Sequence, residues 1–251
     1  MGDTVERFSD RVANYVKYRP DYPRQIIDLL AEQCSLTPGS IVADVGCGTG
    51  ISTRMFLENG NRVFGVEPND AMRAAAVEYL AEFPRFTPVN GTSDATTLDD
   101  GSVDLVVAAQ AFHWFDPETT RPEFARILRP NGAVALIWNE RQLDTTPFLI
   151  EYERFLLKYA RDYSSVRHEN ISADKIGAFF RHGFESVTFP NVQELDLVGL
   201  TGRMLSSSYM PSEDDPVFSE MARELESIFA KHHENGRIKV FYDTNVYFSR
   251  I

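Results

Sequence analysis

Short apolar runs alternate with amphipathic stretches along the first 138 residues of the chain. The runs have the length of buried strands, and the predicted strands are residues 41–45, 62–66, 86–89, 103–109 and 133–138. Apolar residues at helical spacing lie between several of them, and the predicted helices are residues 52–59, 71–83 and 117–128. Strands that alternate with helices imply right-handed crossovers and a parallel sheet.

Further elements are predicted on both sides of this alternating region. Apolar spacing predicts a helix over residues 5–20, which Pro20 and Pro23 end before a second helix over residues 26–34. Residues 147–182 have a mainly helical pattern, with one turn around residues 164–170. The remaining predicted elements are extended segments at residues 185–190 and 191–198, helices at residues 201–209 and 218–232, and a strand at residues 237–251. We expect a late hairpin to add two strands to the edge of the sheet.

The composition fits one sizeable α/β domain of 251 residues. A net charge of −12 argues against a general basic field that would hold nucleic acid. The two cysteines make neither a disulfide framework nor a structural zinc site, so no metal is expected. No apolar leader segment is visible, and the longest apolar stretch, residues 105–115, is too short to span a bilayer. We therefore expect a cytoplasmic protein without a nucleic-acid or membrane partner.

The first predicted strand ends in a turn with glycine at every second position. Asp44 lies near the end of the strand, and Gly46, Gly48 and Gly50 follow it. Glycine lets a ligand approach the backbone closely, because no Cβ stands in the way. Glu67 follows the second strand, twenty-one residues after Gly46, and its carboxylate can accept hydrogen bonds from two vicinal ribose hydroxyls. Together these residues predict a site for a nucleoside-like ligand.

The glycine spacing distinguishes this turn from two other ligand-binding motifs. A dinucleotide-binding fingerprint would need a third glycine at the position of Ile51. No Walker A lysine follows the turn, so the pattern does not predict a phosphate cradle. Two structural alternatives stay open: the glycines form a tight turn only, and Glu67 is a solvated carboxylate at a strand end.

The pattern Asp-x-Gly-x-Gly-x-Gly of residues 44–50 resembles motif I of the seven-stranded S-adenosylmethionine-dependent methyltransferases. Other segments match this family in the same order along the chain: Glu67, residues 91–95, residues 105–115 and Ile127–Gly132. The segments Tyr18–Pro23 and Gln110–Phe115 resemble one branch of the family, the methyltransferase type 11 and trans-aconitate methyltransferase-like enzymes. The resemblance covers residues 8–140 and, more weakly, the late hairpin.

The resemblance implies an α/β fold. This fold is a Rossmann-like three-layer sandwich with a mostly parallel seven-stranded sheet and an antiparallel C-terminal hairpin strand. A single methyltransferase domain is expected over residues 1–251. Its expected parts are an N-terminal helical cap at residues 1–35, a cofactor-binding core at residues 36–140, a substrate-capping insertion at residues 141–208, and a C-terminal helix and edge strand at residues 209–251.

The resemblance also implies S-adenosyl-L-methionine as cofactor and a set of residues that contact it. These are Tyr18, Arg19, Asp44, Gly46, Gly48, Gly50, Glu67, Pro68, Ser93, Asp94 and Gln110. Many relatives have an aspartate directly after the glycine at position 91, where this chain has Thr92, so Thr92, Ser93 and Asp94 all stay candidates for the adenine contact. Arg19 is expected to pair with the methionine carboxylate or with an acidic substrate, and its alternative is a surface salt bridge.

The expected substrate pocket consists of Tyr15, His113, Trp114 and Tyr209. Methyl transfer from a sulfonium is an in-line displacement, in which the protein mainly binds, orients and desolvates the reactants. A general base is needed only when the nucleophile arrives protonated, and His113 is the candidate for it, against a role in packing. We also expect the N-terminal segment through Pro23 to become ordered over the bound cofactor.

These features predict methylation of a small-molecule acceptor by a monomer or homodimer. The expected acceptor atom is an oxygen of a carboxylate or hydroxyl, with nitrogen and carbon left open. A nicotinamide-dependent oxidoreductase and a non-catalytic S-adenosylmethionine-binding protein are the alternatives. RNA methylation is a further alternative, and the acidic net charge disfavours it.

Overall fold

The computed structural model describes residues 12–161, 173–207 and 209–251. The described chain forms two compact units. The larger unit comprises residues 21–139, 173–189 and 244–251. The smaller unit comprises residues 12–20, 140–161, 190–207 and 209–243.

Seven strands form one sheet: β1 (Ile41–Val45), β2 (Arg62–Val66), β3 (Phe86–Val89), β4 (Val103–Ala109), β5 (Leu128–Arg141), β6 (Glu185–Leu195) and β7 (Ile238–Arg250). Their order across the sheet is β3-β2-β1-β4-β5-β7-β6. Neighbouring strands from β3 to β5 pair in parallel, and the C-terminal strands are antiparallel. The carboxyl ends of β1, β2 and β4 therefore lie along the same edge, where parallel α/β sheets bind their ligands.

The helices of the described chain are α1 (Val12–Tyr18), α2 (Gln25–Cys34), α3 (Ile51–Glu58), α4 (Asp70–Tyr79), α5 (Pro117–Ile127), α6 (Pro147–Tyr159), α7 (Ala173–Phe180), α8 (Leu197–Leu205) and α9 (Phe218–His232). A short 3-10 helix at Phe112–Trp114 follows β4. Within the described ranges, no helix has both the length and the apolar character needed to cross a membrane.

Two apolar clusters cover the two faces of the sheet in the larger unit. One joins α2 and α3 to the strands and contains Phe56 and Leu105. The other joins α5 and α7 to the strands and contains Phe124 and Val106. Leu105 and Val106 are neighbours on β4, so this strand is buried on both faces, which explains its almost unbroken apolar sequence. The Rossmann-like three-layer prediction is confirmed.

The smaller unit has its own apolar core, which α6, α8 and α9 form with the first half of β7. Arg141 and Glu153 form a largely buried ion pair beside it. Helices α1 and α8 approach each other closely at Gly202, where an added Cβ would lie 2.1 Å from the ring of Tyr18. Only glycine at this position lets the two helices pack so closely.

The strands predicted around the glycine turn are confirmed. β1 to β4 have the predicted bounds, and so does α9. β5 begins five residues before the predicted strand at 133, because Leu128 already pairs with Val103 ahead of an irregularity in the register. The predicted helix at residues 117–128 ends at Ile127 for the same reason.

Two later stretches of the chain were predicted with wrong bounds. The extended segments at residues 185–190 and 191–198 are one strand, β6, in which Pro190 is tolerated because β6 lies at the edge of the sheet. The helix predicted at residues 201–209 is α8 and starts at Leu197, because Asp196 accepts a hydrogen bond from the Gly199 N–H at 2.7 Å and caps it.

Some predictions remain without a structural answer. Residues 5–11 of the first predicted helix, and the turn at residues 164–170, lie outside the described residues. The ordering of the N-terminal segment through Pro23 on cofactor binding stays a prediction, and residues 1–11 of this segment lie outside the described residues. The single-domain organisation with its caps stays a prediction.

Candidate functional site

The three glycines of the turn after β1 all have left-handed backbone angles, with φ values of +71°, +55° and +89° at Gly46, Gly48 and Gly50. Side chains rarely adopt this region, so glycine is favoured at each position. A Cβ on Gly46 would lie 2.6 Å from the Ala111 Cβ, and a Cβ on Gly50 would lie 2.7 Å from the Leu80 Cδ1. A Cβ on Gly48 would meet nothing within 4 Å. Gly46 and Gly50 are therefore required by packing, whereas Gly48 faces open space.

Glu67 holds the glycine turn in place from the end of β2. Its Oε2 accepts a hydrogen bond from the Gly48 N–H at 3.0 Å, and its Oε1 accepts one from the Asn69 N–H at 2.9 Å. The residue is only 9% exposed, and burial raises the pKa of its carboxyl against the opposing effect of these two bonds. The carboxylate is fixed by backbone donors and retains lone pairs for further donors.

Asp44 is fully buried at the carboxyl end of β1. Its Oδ2 accepts hydrogen bonds from the hydroxyls of Ser52 and Thr53, both at 2.7 Å. Its Oδ1 is buried and has no hydrogen-bond partner among the described residues. Burial raises the pKa of Asp44 to about 6, against the opposing effect of the two hydroxyls. A buried acceptor without a partner is costly, and a ligand with a donor or a positive charge would satisfy it.

Gln110 follows β4 with a φ of +54°, in a region that few residues other than glycine adopt. Its side-chain Nε2 donates to the Asn139 carbonyl at 2.8 Å, and its backbone N–H donates to the Ile137 carbonyl at 2.9 Å. The Oε1 is buried and accepts no hydrogen bond from the described residues. Backbone strain and an unmet acceptor at a strand end are both typical of ligand sites.

Comparison with known proteins agrees with this geometry. A family model described as a methyltransferase domain matches residues 43–136, which include the glycine turn and Glu67. An uncharacterized methyltransferase-like protein of Schizosaccharomyces pombe is 30% identical over 253 residues, which cover 98% of this chain and 95% of that protein. The chain belongs to the class I S-adenosylmethionine-dependent methyltransferases.

The fold of this methyltransferase is also similar to that of a putative type II methyltransferase from Anaeromyxobacter dehalogenans. The two chains are 20% identical, with a TM-score of 0.67 over 93% of this chain and 98% of the other. A trans-aconitate 2-methyltransferase from Delftia acidovorans is 28% identical over 151 residues, which cover 59% of this chain and 56% of that protein. The resemblance to the methyltransferase type 11 and trans-aconitate methyltransferase-like branch is thereby confirmed.

The three candidates for the adenine contact lie in the turn after β3 of the methyltransferase, and they differ in exposure. Asp94 is exposed and accepts a hydrogen bond from the Thr92 hydroxyl at 2.6 Å. Ser93 is buried, and its hydroxyl lies 3.0 Å from the hydroxyl of Thr120. Asp94 is thus the candidate whose side chain is most accessible. Pro68 is exposed beside Glu67.

The 3-10 helix after β4 carries His113 and Trp114. The His113 ring lies 5.2 Å from the Trp138 ring and 4.2 Å from the Trp114 ring, between their centroids. Burial and, to a smaller extent, the charge of Lys175 lower the pKa of His113 to about 3. His113 is therefore neutral at physiological pH and is a weak base. Trp114 is 43% exposed.

Four predicted residues of the methyltransferase belong to the smaller unit: Tyr15, Tyr18, Arg19 and Tyr209. The Arg19 guanidinium lies over the Tyr15 ring, 4.7 Å from its centroid, and its Nη2 donates to the Ser206 carbonyl at 3.0 Å. The Tyr18 carbonyl accepts a hydrogen bond from Gln193 at 2.9 Å. The glycine turn, Asp44 and Glu67 are brought together in the larger unit, and these four residues are placed in the other one.

Sequence reasoning missed the residues that support the site. Ser52 and Thr53 bind Asp44, and Arg73 donates to the Glu67 carbonyl at 2.8 Å. A pair of hydroxyl residues at the start of the helix after the glycine turn was a usable signal for the first contact.

Proposed function

We propose that the methyltransferase transfers a methyl group from S-adenosylmethionine to an oxygen of a small-molecule acceptor. The observation that supports this most is the open space at Gly48, next to a Glu67 carboxylate that backbone donors hold in place. The unmet Asp44 Oδ1 fits the same ligand, whose methionine part carries a cationic amino group. The residues present therefore fit this cofactor.

Four of the predicted cofactor-binding residues have a proposed role. Glu67 would accept hydrogen bonds from the ribose hydroxyls, and Asp44 would accept one from the amino group. Asp94 is the proposed adenine contact, and Gln110 would bind the methionine part through its Oε1. When bound, the cofactor supplies an electrophilic methyl group, and the protein orients it and excludes water.

The properties of His113 favour an acceptor that is already ionised. With a pKa of about 3, this histidine would take up a proton only weakly near neutral pH. A carboxylate acceptor has no proton to lose, whereas a hydroxyl acceptor needs a base. We therefore propose a carboxylate oxygen as the acceptor and His113, with Trp114, as a wall of its pocket.

We further propose a cytoplasmic enzyme that acts on metabolites as a monomer or homodimer. The net charge of −12 disfavours nucleic acid and anionic membrane surfaces as partners. Non-catalytic cofactor binding is the remaining alternative, and turnover separates it from the proposal.

The cofactor is tested by calorimetry with S-adenosylhomocysteine and NAD. We expect the first to bind and the second not to bind, because position 51 is isoleucine and not the third glycine of a dinucleotide fingerprint. Incubation with methyl-labelled cofactor and a metabolite extract, followed by mass spectrometry, then identifies the acceptor. Tight NAD binding without S-adenosylhomocysteine binding would refute the proposal.

Cofactor affinity is expected to fall as the pH drops below about 6. Asp44 has a pKa of about 6 in the free protein, so at lower pH the cationic amino group must displace a proton to bind. The expected decrease is up to about tenfold per pH unit. Calorimetry with S-adenosylhomocysteine between pH 7.5 and 5 measures it. Asp44→Asn should bind more weakly and show a much flatter profile, and equal slopes in both proteins would contradict the role of Asp44.

A further inference from the structure

A cleft lies at the amino-terminal ends of β1, β2 and β3 in the larger unit, whereas the glycine turn lies at the carboxyl-terminal ends of these parallel strands. Its volume is about 300 Å³, at the lower end of the range for cavities that bind small molecules. The residues that line this cavity, which we term the arginine cleft, are Pro38, Gly39, Arg62, Pro84, Arg85 and Thr87. Arg62 begins β2 and Arg85 directly precedes β3, so its two cations come from adjacent strands.

The pairing of β2 with β3 holds the two arginines next to each other. Val63 lies opposite Phe86 in this parallel pair, and the Val63 N–H donates to the Arg85 carbonyl at 3.0 Å. Arg62 and Arg85 each precede these partners by one residue, so they occupy opposing positions on one face of the sheet. Like charges at opposing positions repel each other, and an anion between them would remove that repulsion.

Neither arginine forms an ion pair with a residue that the structure describes. The same end of the sheet shows the usual arrangement at β4 and β5, where the Arg129 Nη1 donates to both carboxylate oxygens of Asp104, at 3.0 and 3.1 Å. The chain has 37 acidic residues against 25 lysines and arginines, so acidic residues are not scarce. At Arg62 and Arg85 a cavity takes the place of the carboxylate.

Local contacts hold both guanidinium groups in position. The Arg85 Nη1 donates to the Gly60 carbonyl, in the loop before β2. The Arg62 guanidinium lies over the Phe64 ring, 4.8 Å from its centroid. A ligand would therefore lose less free energy in ordering these two long side chains.

The wall of the arginine cleft opposite β3 is also fixed. Asn61 is fully buried, and its Nδ2 donates to the carbonyls of Thr37 and Ser40, both at 2.8 Å. These bonds tie the turn that contains Gly39 to the start of β2. The Gly39 N–H and the Thr87 hydroxyl donate to no residue that the structure describes, so both can serve as neutral donors in the cleft.

We propose that the arginine cleft binds a phosphate group, as the free ion or as the ester of a small metabolite. Guanidinium forks match phosphate oxygens, and a phosphate monoester near neutral pH carries up to two negative charges, one for each arginine. The inference is independent of the proposed function. Arg62 and Glu67 flank β2 at opposite ends, with about 16 Å of extended strand between them.

Calorimetry at pH 7.5 tests the chemistry of the ligand. Glycerol 3-phosphate should bind wild type ten times or more tightly than glycerate, a carboxylate of similar size. Tighter binding of glycerol 3-phosphate than of inorganic phosphate would identify a phosphorylated metabolite as the ligand. Equal or weaker binding would identify the free ion. Similar affinities for glycerol 3-phosphate and glycerate would overturn the proposal.

Three variants test the position of the site. Arg62→Gln and Arg85→Gln should each weaken the binding of glycerol 3-phosphate at least tenfold. Arg223→Gln makes the same change in net charge at an exposed arginine of the smaller unit and should keep the wild-type affinity. Thermal unfolding should give nearly the same melting temperature for all four proteins, because the three arginines are exposed.

Saturation with S-adenosylhomocysteine separates this site from the proposed cofactor site. The affinity for glycerol 3-phosphate should stay the same, and a tenfold or greater loss would place the phosphate in the cofactor site and overturn the proposal. Failure of S-adenosylhomocysteine to bind would count against the proposed function alone, since the phosphate titrations do not need it.

Amide chemical shifts of the wild-type protein locate the ligand without any substitution. Addition of glycerol 3-phosphate should shift the amide signals of Gly39 and Thr87 more than those of Gly46 and Gly48. The reverse pattern would overturn the proposal, and so would wild-type affinity in both Arg62→Gln and Arg85→Gln.

Discussion

Gly48→Val is expected to abolish measurable cofactor binding while the protein still folds. A Cβ at position 48 meets no protein atom within 4 Å, so the valine would occupy the open space proposed for the cofactor. The expected loss is more than about a hundredfold in affinity for S-adenosylhomocysteine, or about 2.7 kcal/mol. Calorimetry measures the affinity, and thermal unfolding measures the stability. The cost of a side chain at positive φ should be about 1–2 kcal/mol.

Gly101→Val is the matched control for this substitution. Gly101 has a φ of +58° and open space around it, as Gly48 does with +55°. Gly101 precedes β4 and therefore lies at the amino-terminal end of the parallel strands, whereas the glycine turn lies at their carboxyl-terminal end. Both variants should lose similar stability, and only Gly48→Val should lose binding. Retained affinity in folded Gly48→Val would place the cofactor elsewhere. Gly50→Val should be less stable than either variant, because it has the same strain at a φ of +89° and its Cβ would also displace the Leu80 side chain.

Glu67→Gln is expected to weaken S-adenosylhomocysteine binding by about a hundredfold, since charge-assisted hydrogen bonds contribute about 1.5–3 kcal/mol. Both Glu67 oxygens accept backbone hydrogen bonds, from Gly48 and Asn69. A glutamine offers one acceptor, so its amide group would face a backbone donor and displace the turn. The variant should therefore also unfold at a lower temperature, by an amount that corresponds to about 1–3 kcal/mol.

Glu58→Gln provides the control for the loss of one negative charge. Glu58 is at the end of α3 and forms an exposed ion pair with Arg54, which should contribute at most about 1 kcal/mol. The affinity of the Glu58→Gln variant for S-adenosylhomocysteine should equal that of wild type. An unchanged dissociation constant in Glu67→Gln would show that Glu67 does not bind the ribose.

The sequence predicted the strands around the glycine turn because their signals are local. An apolar run such as Val103–Ala109 is buried on both faces, so its ends coincide with the ends of the strand. The start of α8 depends on Asp196, whose side chain caps the helix. The spacing of apolar residues could not locate this start, because Asp196 is polar. The start of β5 depended on pairing with Val103, which is a contact distant in sequence.

The same distinction between local and long-range signals applies to the candidate site. Gly48 and Glu67 follow adjacent parallel strands, so their proximity could be predicted from the order of the motifs. The low pKa of His113 could not be predicted from the sequence, because it results from burial and from the charge of Lys175, which lies 62 residues later in the chain.

The position of β7 has a consequence for synthesis on the ribosome. β7 lies between β5 and β6 in the sheet but follows both in the chain, with residues 196–237 between β6 and β7. While the chain emerges, β5 has an open edge and β6 has no neighbour, and unpaired strand edges promote aggregation. We therefore expect the nascent enzyme to be most prone to aggregation before β7 is inserted between β5 and β6.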